Sequence, residues 1–155
     1  MKKYVNHFKT VMTHKYYVFM EMREYGLYWQ GLTHDLSKFL PSEFRQAKYY
    51  TGTRSPISIE KEQVGYSKTW LKHIHRNKHH WEYWYDPTIN KIAPIPEKYM
   101  KEMVCDTIAA SKAYNGKSWT PQTLLDYMET RSTWPDEIKA LTMPLILAKL
   151  QKERS

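Results

Sequence analysis

The chain is short of cysteine, glycine and long apolar runs. It has one Cys and five Gly in 155 residues. A lone cysteine, Cys105, excludes a disulfide-stapled secreted fold and a cysteine-ligated zinc ribbon, and it points to a reducing compartment. No stretch is apolar for the roughly 18 residues that a membrane helix needs. The opening Met1-Lys2-Lys3-Tyr4 runs into His7, Lys9, His14 and Lys15, not into the apolar core of a signal peptide. A cytoplasmic protein with no membrane partner is the expectation. No internal repeat and no linker long enough to separate two domains is visible, so residues 1–155 read as a single domain.

What is present is positive charge and aromatic surface. Lys and Arg number 24 against 16 Asp and Glu, a formal net charge of +8, with 13 Tyr and 6 Trp among them. Charged residues make up 26% and hydrophobic ones 41% of the chain, which is the balance of a globular protein. Basic residues interleaved with aromatics favour an anionic partner, since they can track phosphates and stack on bases. Composition alone does not separate nucleic acid from a small anion.

Apolar spacing is helical almost throughout, with no period-2 strand and no hairpin dipeptide between apolar runs. The expected fold class is all-α, a bundle of about six helices. The first covers Tyr4 to about Tyr28, with Phe8, Val11, Met12, Phe19 and Met22 on one arc and Gly26 and Gly31 at a ragged end. A second starts at Pro41 and ends near Tyr50, before Thr51-Gly52-Thr53. A third starts from Ser58 as N-cap and reaches Asn77. A Trp- and Tyr-rich connection spans 78–95, and a fourth helix runs from Pro96 to Asn115 and stops at Gly116. Thr120-Pro121 and Thr133-Trp134-Pro135-Asp136 open the last two within 120–152. The final helix is expected to be interrupted near Pro144 and to fray into Gln151-Lys152-Glu153-Arg154-Ser155.

The chemistry-bearing residues are histidines and carboxylates. Seven His occupy positions 7, 14, 34, 73, 75, 79 and 80, with no pair four apart around a Glu of the zincin type. The candidate set is His14, the His34-Asp35 doublet, His73, the His79-His80 pair and Asp106. Imidazole and carboxylate together suit borderline divalent ions, and ligands from separate helices can meet inside a bundle. At helical spacing Tyr66, Trp70, His73 and Asn77 form one stripe, while His75 points away. Asp106 shares a flank with Glu102, Ala109, Ala110 and Ala113, and those small residues permit close helix approach.

The order His14, His34-Asp35, His73, His79-His80, Asp106 resembles the HD superfamily of metal-dependent phosphohydrolases, whose signature is a His, a His-Asp doublet and a later Asp. The stretch H-D-L-S-K-F at His34 to Phe39 is similar to the doublet context of HD and HD-GYP enzymes. A closer resemblance is to a poorly characterised domain family of bacteria and their phages. It is carried by H-D-L-S-K-F with Glu43-Phe44 following, N-K-H-H-W-E-Y-W at Asn77 to Trp84, and the segment Glu102 to Asp106. After His79-His80 comes Trp81-Glu82-Tyr83-Trp84 in place of the Asp-Gly-x-Gly-Tyr-Pro segment of HD-GYP proteins, so a cyclic dinucleotide is not implied as substrate.

The resemblance implies an HD-like helical domain with its metal-site core at about residues 4–116. It implies that His14, His34, Asp35 and Asp106 hold one divalent ion, and that Asp35 bridges to a second held by His73 with His79, His80 or both. Fe, Mn, Zn, Ni, Co and Mg are all compatible. Asp35, Lys38 and His80 are then the catalytic candidates. Lys38, Trp70, Arg76, Lys78 and Trp81 are candidates for contact with substrate, Trp81 with Tyr83 and Trp84 as stacking surfaces. Glu102 and Asn77 are candidates for supporting the ligands from behind. The implied activity is hydrolysis of a nucleotide or other small phosphate ester. Two alternatives stand beside it. One is a non-haem dimetal oxidase, oxygenase or peroxide-consuming enzyme on the same scaffold. The other is a non-enzymatic phage or bacterial protein that binds nucleotide, nucleic acid or a host factor.

Overall fold

The computed structural model describes residues 1–130 and 132–153. Arg131, and Arg154 and Ser155 of the expected frayed end, lie outside the described residues. Among the described residues eight α-helices occur in the order α1 (Lys2–Arg23), α2 (Tyr28–Thr33), α3 (Pro41–Phe44), α4 (Pro56–Val64), α5 (Lys68–Arg76), α6 (Glu97–Asn115), α7 (Pro121–Thr130) and α8 (Asp136–Glu153). Short 3-10 turns occupy Leu36–Phe39, Arg45–Tyr49, Trp81–Trp84 and Gly116–Ser118. The class is all-α. None of the helices is long and apolar enough to cross a membrane.

The two helices beyond the expected six come from breaks that spacing alone conceals. The segment expected to run from Ser58 to Asn77 is divided at Gly65, whose φ of 86° closes α4 in the left-handed region. Ser67 then caps a new helix by accepting a bond from the Trp70 amide at 3.0 Å. Ser58 therefore lies inside α4, behind Ser55 as the N-cap residue and Pro56 in the first turn. The first helix stops at Arg23, and α2 turns back beside it. Gly31 makes that approach possible: a Cβ there would meet Phe19 Cα at 3.3 Å and Met22 Cβ at 3.4 Å. The segment from Pro41 keeps α-helical form only to Phe44 and tightens to a 3-10 turn at Arg45–Tyr49.

Two further expectations are corrected. The 78–95 connection contains a two-residue antiparallel ladder, β1 (Tyr85–Asp86) against β2 (Lys91–Ile92), too short to show a period of 2. The last helix passes through Pro144 unbroken. Proline removes one intrahelical bond, but Ile138, Thr142, Ile146 and Leu150 on either side stay buried as one face.

α6 is the central element. One side meets α7 and α8 through Val104, Ile108, Leu124, Met128, Ile146 and Leu150, all buried. Another meets α1 through Val18, Met22, Cys105 and Ala109. The face α1 turns inward differs from the arc expected from apolar spacing. His7, Val11, His14, Val18, Glu21 and Met22 are buried, while Phe8 and Met12 remain about half exposed. Polar residues at positions 7, 14 and 21 displace the inward face, and a hydrophobicity reading cannot see that shift.

Candidate metal centre

The doublet is delivered by the end of α2. His34 follows its last turn, and Lys15 of α1 donates to the carbonyls of Leu32 at 2.6 Å and His34 at 2.9 Å, satisfying acceptors that a helix end leaves open. Asp35 then adopts φ 53°, ψ 29°. A non-glycine residue in this left-handed region costs about 1–2 kcal/mol. The turn buries the Asp35 carboxylate at 5% exposure, facing histidines from two other segments. His73 comes from the last turn of α5 and His79 from the segment after it, and His14 and Asp106 come from facing positions on α1 and α6.

Each of three imidazoles is gripped at Nδ1 by a buried carboxylate. His34 Nδ1 lies 2.9 Å from Glu102 Oε1, and His79 Nδ1 is 3.2 Å from the same oxygen. His73 Nδ1 lies 2.9 Å from Glu43 Oε2. With the proton on Nδ1, the Nε2 lone pair of each ring is free to bind a cation and points toward the centre. There His73 Nε2 is 3.4 Å and His79 Nε2 3.3 Å from Asp35 Oδ1, and His34 Nε2 is 3.3 Å from Asp35 Oδ2. On the other side His14 Nε2 lies 2.9 Å and His34 Nε2 3.2 Å from Asp106 Oδ1.

These separations fit ligands around a shared ion. Donors held about 2.0–2.1 Å from one ion stand roughly 3 Å from each other. Donor atoms of Asp35, His73, His79 and His80 all lie within 4.8 Å of one another, as do those of His14, His34, Asp35 and Asp106, and those of His34, His79 and Glu102. Asp35 belongs to the first two groups. Buried atoms without a hydrogen-bond partner include Asp35 Oδ1, His79 Nε2 and His80 Nε2. Leaving one such atom bare costs about 1–3 kcal/mol, and their convergence forms a place that could hold a cation.

Electrostatics reinforce the pattern. Burial, then the Lys38 charge, pushes the His14 imidazole below its ordinary value. Burial, with His79 and His73 adding to it, drives His80 well below. Both rings are thereby held neutral, the form that ligates. His34 differs: burial works against its charge, but Asp35, Asp106 and Glu102 outweigh it and draw that group well upward, so this ring must release a proton before it can ligate. For Glu102, burial opposes ionisation and the bonds from His34 and His79 overcome it, bringing the carboxyl down to about 2.

Sequence reading placed further residues around this centre. Lys38 lies 2.5 Å from Asp35 Oδ2, on the carboxylate that joins the two donor groups. Arg76 is occupied by Glu43 at 2.7 Å and Ser42 at 3.2 Å. Asn77 donates to Ser37 Oγ at 3.0 Å and to the His73 carbonyl at 2.8 Å. Trp70 backs the ligands, its ring 4.9 Å from that of His80 and 5.9 Å from that of His73, with Lys61 on the ring at 4.8 Å. Trp81 packs edge-on to Tyr85, and Lys78 sits over Tyr83 and Tyr99. His75 is exposed and bonds its own helix at Leu71. Tyr66 lies outside α5, half exposed.

Two supporting residues escaped the sequence reading. Glu43 is fully buried and joins His73, Arg76 and Ser37, the last at 2.8 Å. Following Pro41 and Ser42 at a helix start, it looks like an ordinary first-turn acid. Gln30 donates to Glu102 and lies four residues before His34, a helical spacing that identifies it once α2 is known.

The chain matches no curated protein and no solved structure. A family model does match, over residues 3–148, and so spans every residue of the centre. The chain belongs to the family of unknown function DUF5662.

Proposed function

We propose that this protein is a metal-dependent phosphohydrolase or phosphodiesterase of the HD kind, acting on a nucleotide or other small phosphate ester. One observation carries the reading: Asp35 is shared by two buried donor groups, His14/His34/Asp106 on one side and His73/His79/His80 on the other. One or two divalent ions bound there would polarise a phosphoryl oxygen and acidify a coordinated water. The chain's own residues supply the rest. Glu102 and Glu43 keep His34, His79 and His73 in the tautomer that ligates. Asp35 joins the two donor groups, and its strained backbone fixes the carboxylate's direction. Lys38, raised by Asp35 and Asp106 against the effect of burial, stays protonated and supplies a fixed positive charge to an anion at the centre.

Charge distribution supports an anionic substrate here. Residues 1–80 carry 14 Lys and Arg against 6 Asp and Glu, whereas residues 81–155 carry 10 of each. The whole surplus of +8 therefore belongs to the part of the chain that provides every candidate ligand except Glu102 and Asp106.

The nitrogen-rich group His73/His79/His80 with Asp35 also suits iron or manganese, which keeps a dimetal oxidase or peroxide-consuming enzyme as the second reading. The test is phosphate release from a panel of nucleotides and p-nitrophenyl phosphate by protein loaded separately with Mn, Fe or Zn. The expected result is turnover that Asp35→Asn abolishes. Asparagine tolerates the left-handed backbone and so isolates the carboxylate. Stoichiometric metal with oxygen or peroxide consumption and no phosphate release would overturn the hydrolase in favour of the second reading.

A further inference from the structure

Asp35 and His7 are both buried with side-chain atoms that lack a hydrogen-bond partner, and of the two only Asp35 has an ion pair, with Lys38. The metal centre accounts for Asp35, and nothing yet accounts for His7. Its ring is 3% exposed and lies between Phe44, at 5.4 Å, and Tyr50, at 5.7 Å. Tyr50 is fixed in turn by a 2.7 Å hydrogen bond to Thr10. Gln46, in the 3-10 turn between those two aromatics, is equally buried and leaves its Oε1 without a partner. A bare donor and a bare acceptor on one imidazole, with a bare amide oxygen in a 3-10 turn that packs on the same helix, is an arrangement that a folded chain does not keep without return.

His7 also has a defined relation to the centre. It lies on the inward face of α1 with Val11 and His14, and the seven residues from His7 to His14 span about 10 Å of helix. The Lys38 charge bears on both histidines. Among the described residues no carboxylate is paired with His7, unlike His34, His73 and His79 of the metal centre. Burial, then Lys38, lowers its imidazole from 6.5 to about 4, so it is neutral at pH 7 and presents one donor and one acceptor. Aromatic walls, a neutral donor and acceptor pair and an extra acceptor match a flat, uncharged heterocycle bearing both an N–H and a carbonyl or ring nitrogen.

We propose that His7 and Gln46, between Phe44 and Tyr50, form the base-recognition subsite of this centre, so that the phosphate ester bound at the metal ligands and Lys38 is that of a nucleoside. The phosphate end of this proposal rests on the hydrolase reading; the base end does not. The test titrates adenosine, guanosine, cytidine and uridine into the full chain, following the His7 ring by histidine-selective NMR and affinity by equilibrium dialysis. Inorganic phosphate is titrated in parallel into metal-loaded protein. At least one nucleoside is expected to shift the His7 resonances. His7→Phe, which keeps the ring packing, is expected to weaken that nucleoside about tenfold or more, consistent with the loss of one or two buried hydrogen bonds, and to leave phosphate affinity unchanged. Gln46→Leu, on the 3-10 turn and not on α1 itself, provides a second variant with the same expected loss.

Silence of the His7 ring toward all four nucleosides, or wild-type nucleoside affinity in both variants, would overturn the subsite and leave an ordered water as the partner of His7. The two proposals fail separately. Hydrolysis of p-nitrophenyl phosphate without nucleoside binding refutes the subsite alone. His7-dependent nucleoside binding without phosphate release from any ester refutes the hydrolase alone.

Discussion

The two flanks of α6 are built on opposite principles. Toward α7 and α8, Val104 and Ile108 meet Leu124, Met128, Ile146 and Leu150, and no polar side chain is needed to complete the contact. Toward α2, α5 and the turn after α5, Glu102 and Asp106 meet His34 and His79, with His14 of α1 and with His73 and Asp35 beyond. The first flank is complete as it stands, since close-packed carbon leaves nothing unsatisfied. The second packs three carboxylates and four imidazoles against each other and still leaves acceptor atoms bare. Such a cluster is costly unless each charge is paired. The contrast teaches that the second flank is built from groups that could hold a metal ion, whereas the first is built for packing alone.

Substitutions on the two flanks should therefore separate stability from metal affinity. The largest effect is expected from His34→Ala, which removes the ligand that touches both Asp35 and Asp106. Metal affinity should fall beyond the roughly 10–100-fold loss typical of supporting residues, and isothermal titration calorimetry measures it. On the apolar flank Ile108→Ala should cost about 2–5 kcal/mol in urea unfolding, while the surviving folded protein keeps its full metal content. Glu102→Gln is intermediate in kind. Its amide oxygen can still accept from Nδ1 but carries no charge, so metal affinity should drop by about tenfold with little change in unfolding midpoint. If Ile108→Ala strips metal, or Glu102→Gln unfolds the chain without altering affinity, the division between the flanks is wrong.

A further expected effect concerns pH. His7 has its folded value lowered to about 4 by burial and Lys38, against 6.5 when unfolded. Between those values the unfolded chain binds the proton and the folded chain does not, so this group's penalty is absent above pH 6.5 and grows as pH falls toward 4. In metal-free protein, His7→Phe should gain stability relative to the parent across that window and show no pH-dependent gain above it. Chemical unfolding at pH 7.5, 6 and 4.5 measures this, and a constant difference at all three would refute it.

Much of the site was legible because its chemistry is concentrated in few residue types. A His-Asp doublet, a His pair and a late Asp are conspicuous in a chain with 7 His, and the structure brings together all seven residues named as ligands. What lay hidden depends on three-dimensional pairing. Glu43 looks like a helix-start acid until its partner His73 arrives from α5, 30 residues later. The face of α1 was misread because its inward positions include His7, His14 and Glu21, which apolar periodicity discounts. Likewise the break at Gly65 is invisible to spacing, since the residues on both sides continue a helical rhythm and only a positive φ interrupts it.

The central claim is that Asp35 joins two cation positions. Its most direct test is elemental analysis with anomalous diffraction on metal-saturated crystals of the parent and of Asp35→Asn. The account predicts two anomalous peaks in the parent, one among His14, His34 and Asp106 and one among His73, His79 and His80, with both lost or strongly depleted in the variant. A metal-saturated parent without ions at these residues, or a variant with full occupancy at both, would contradict it.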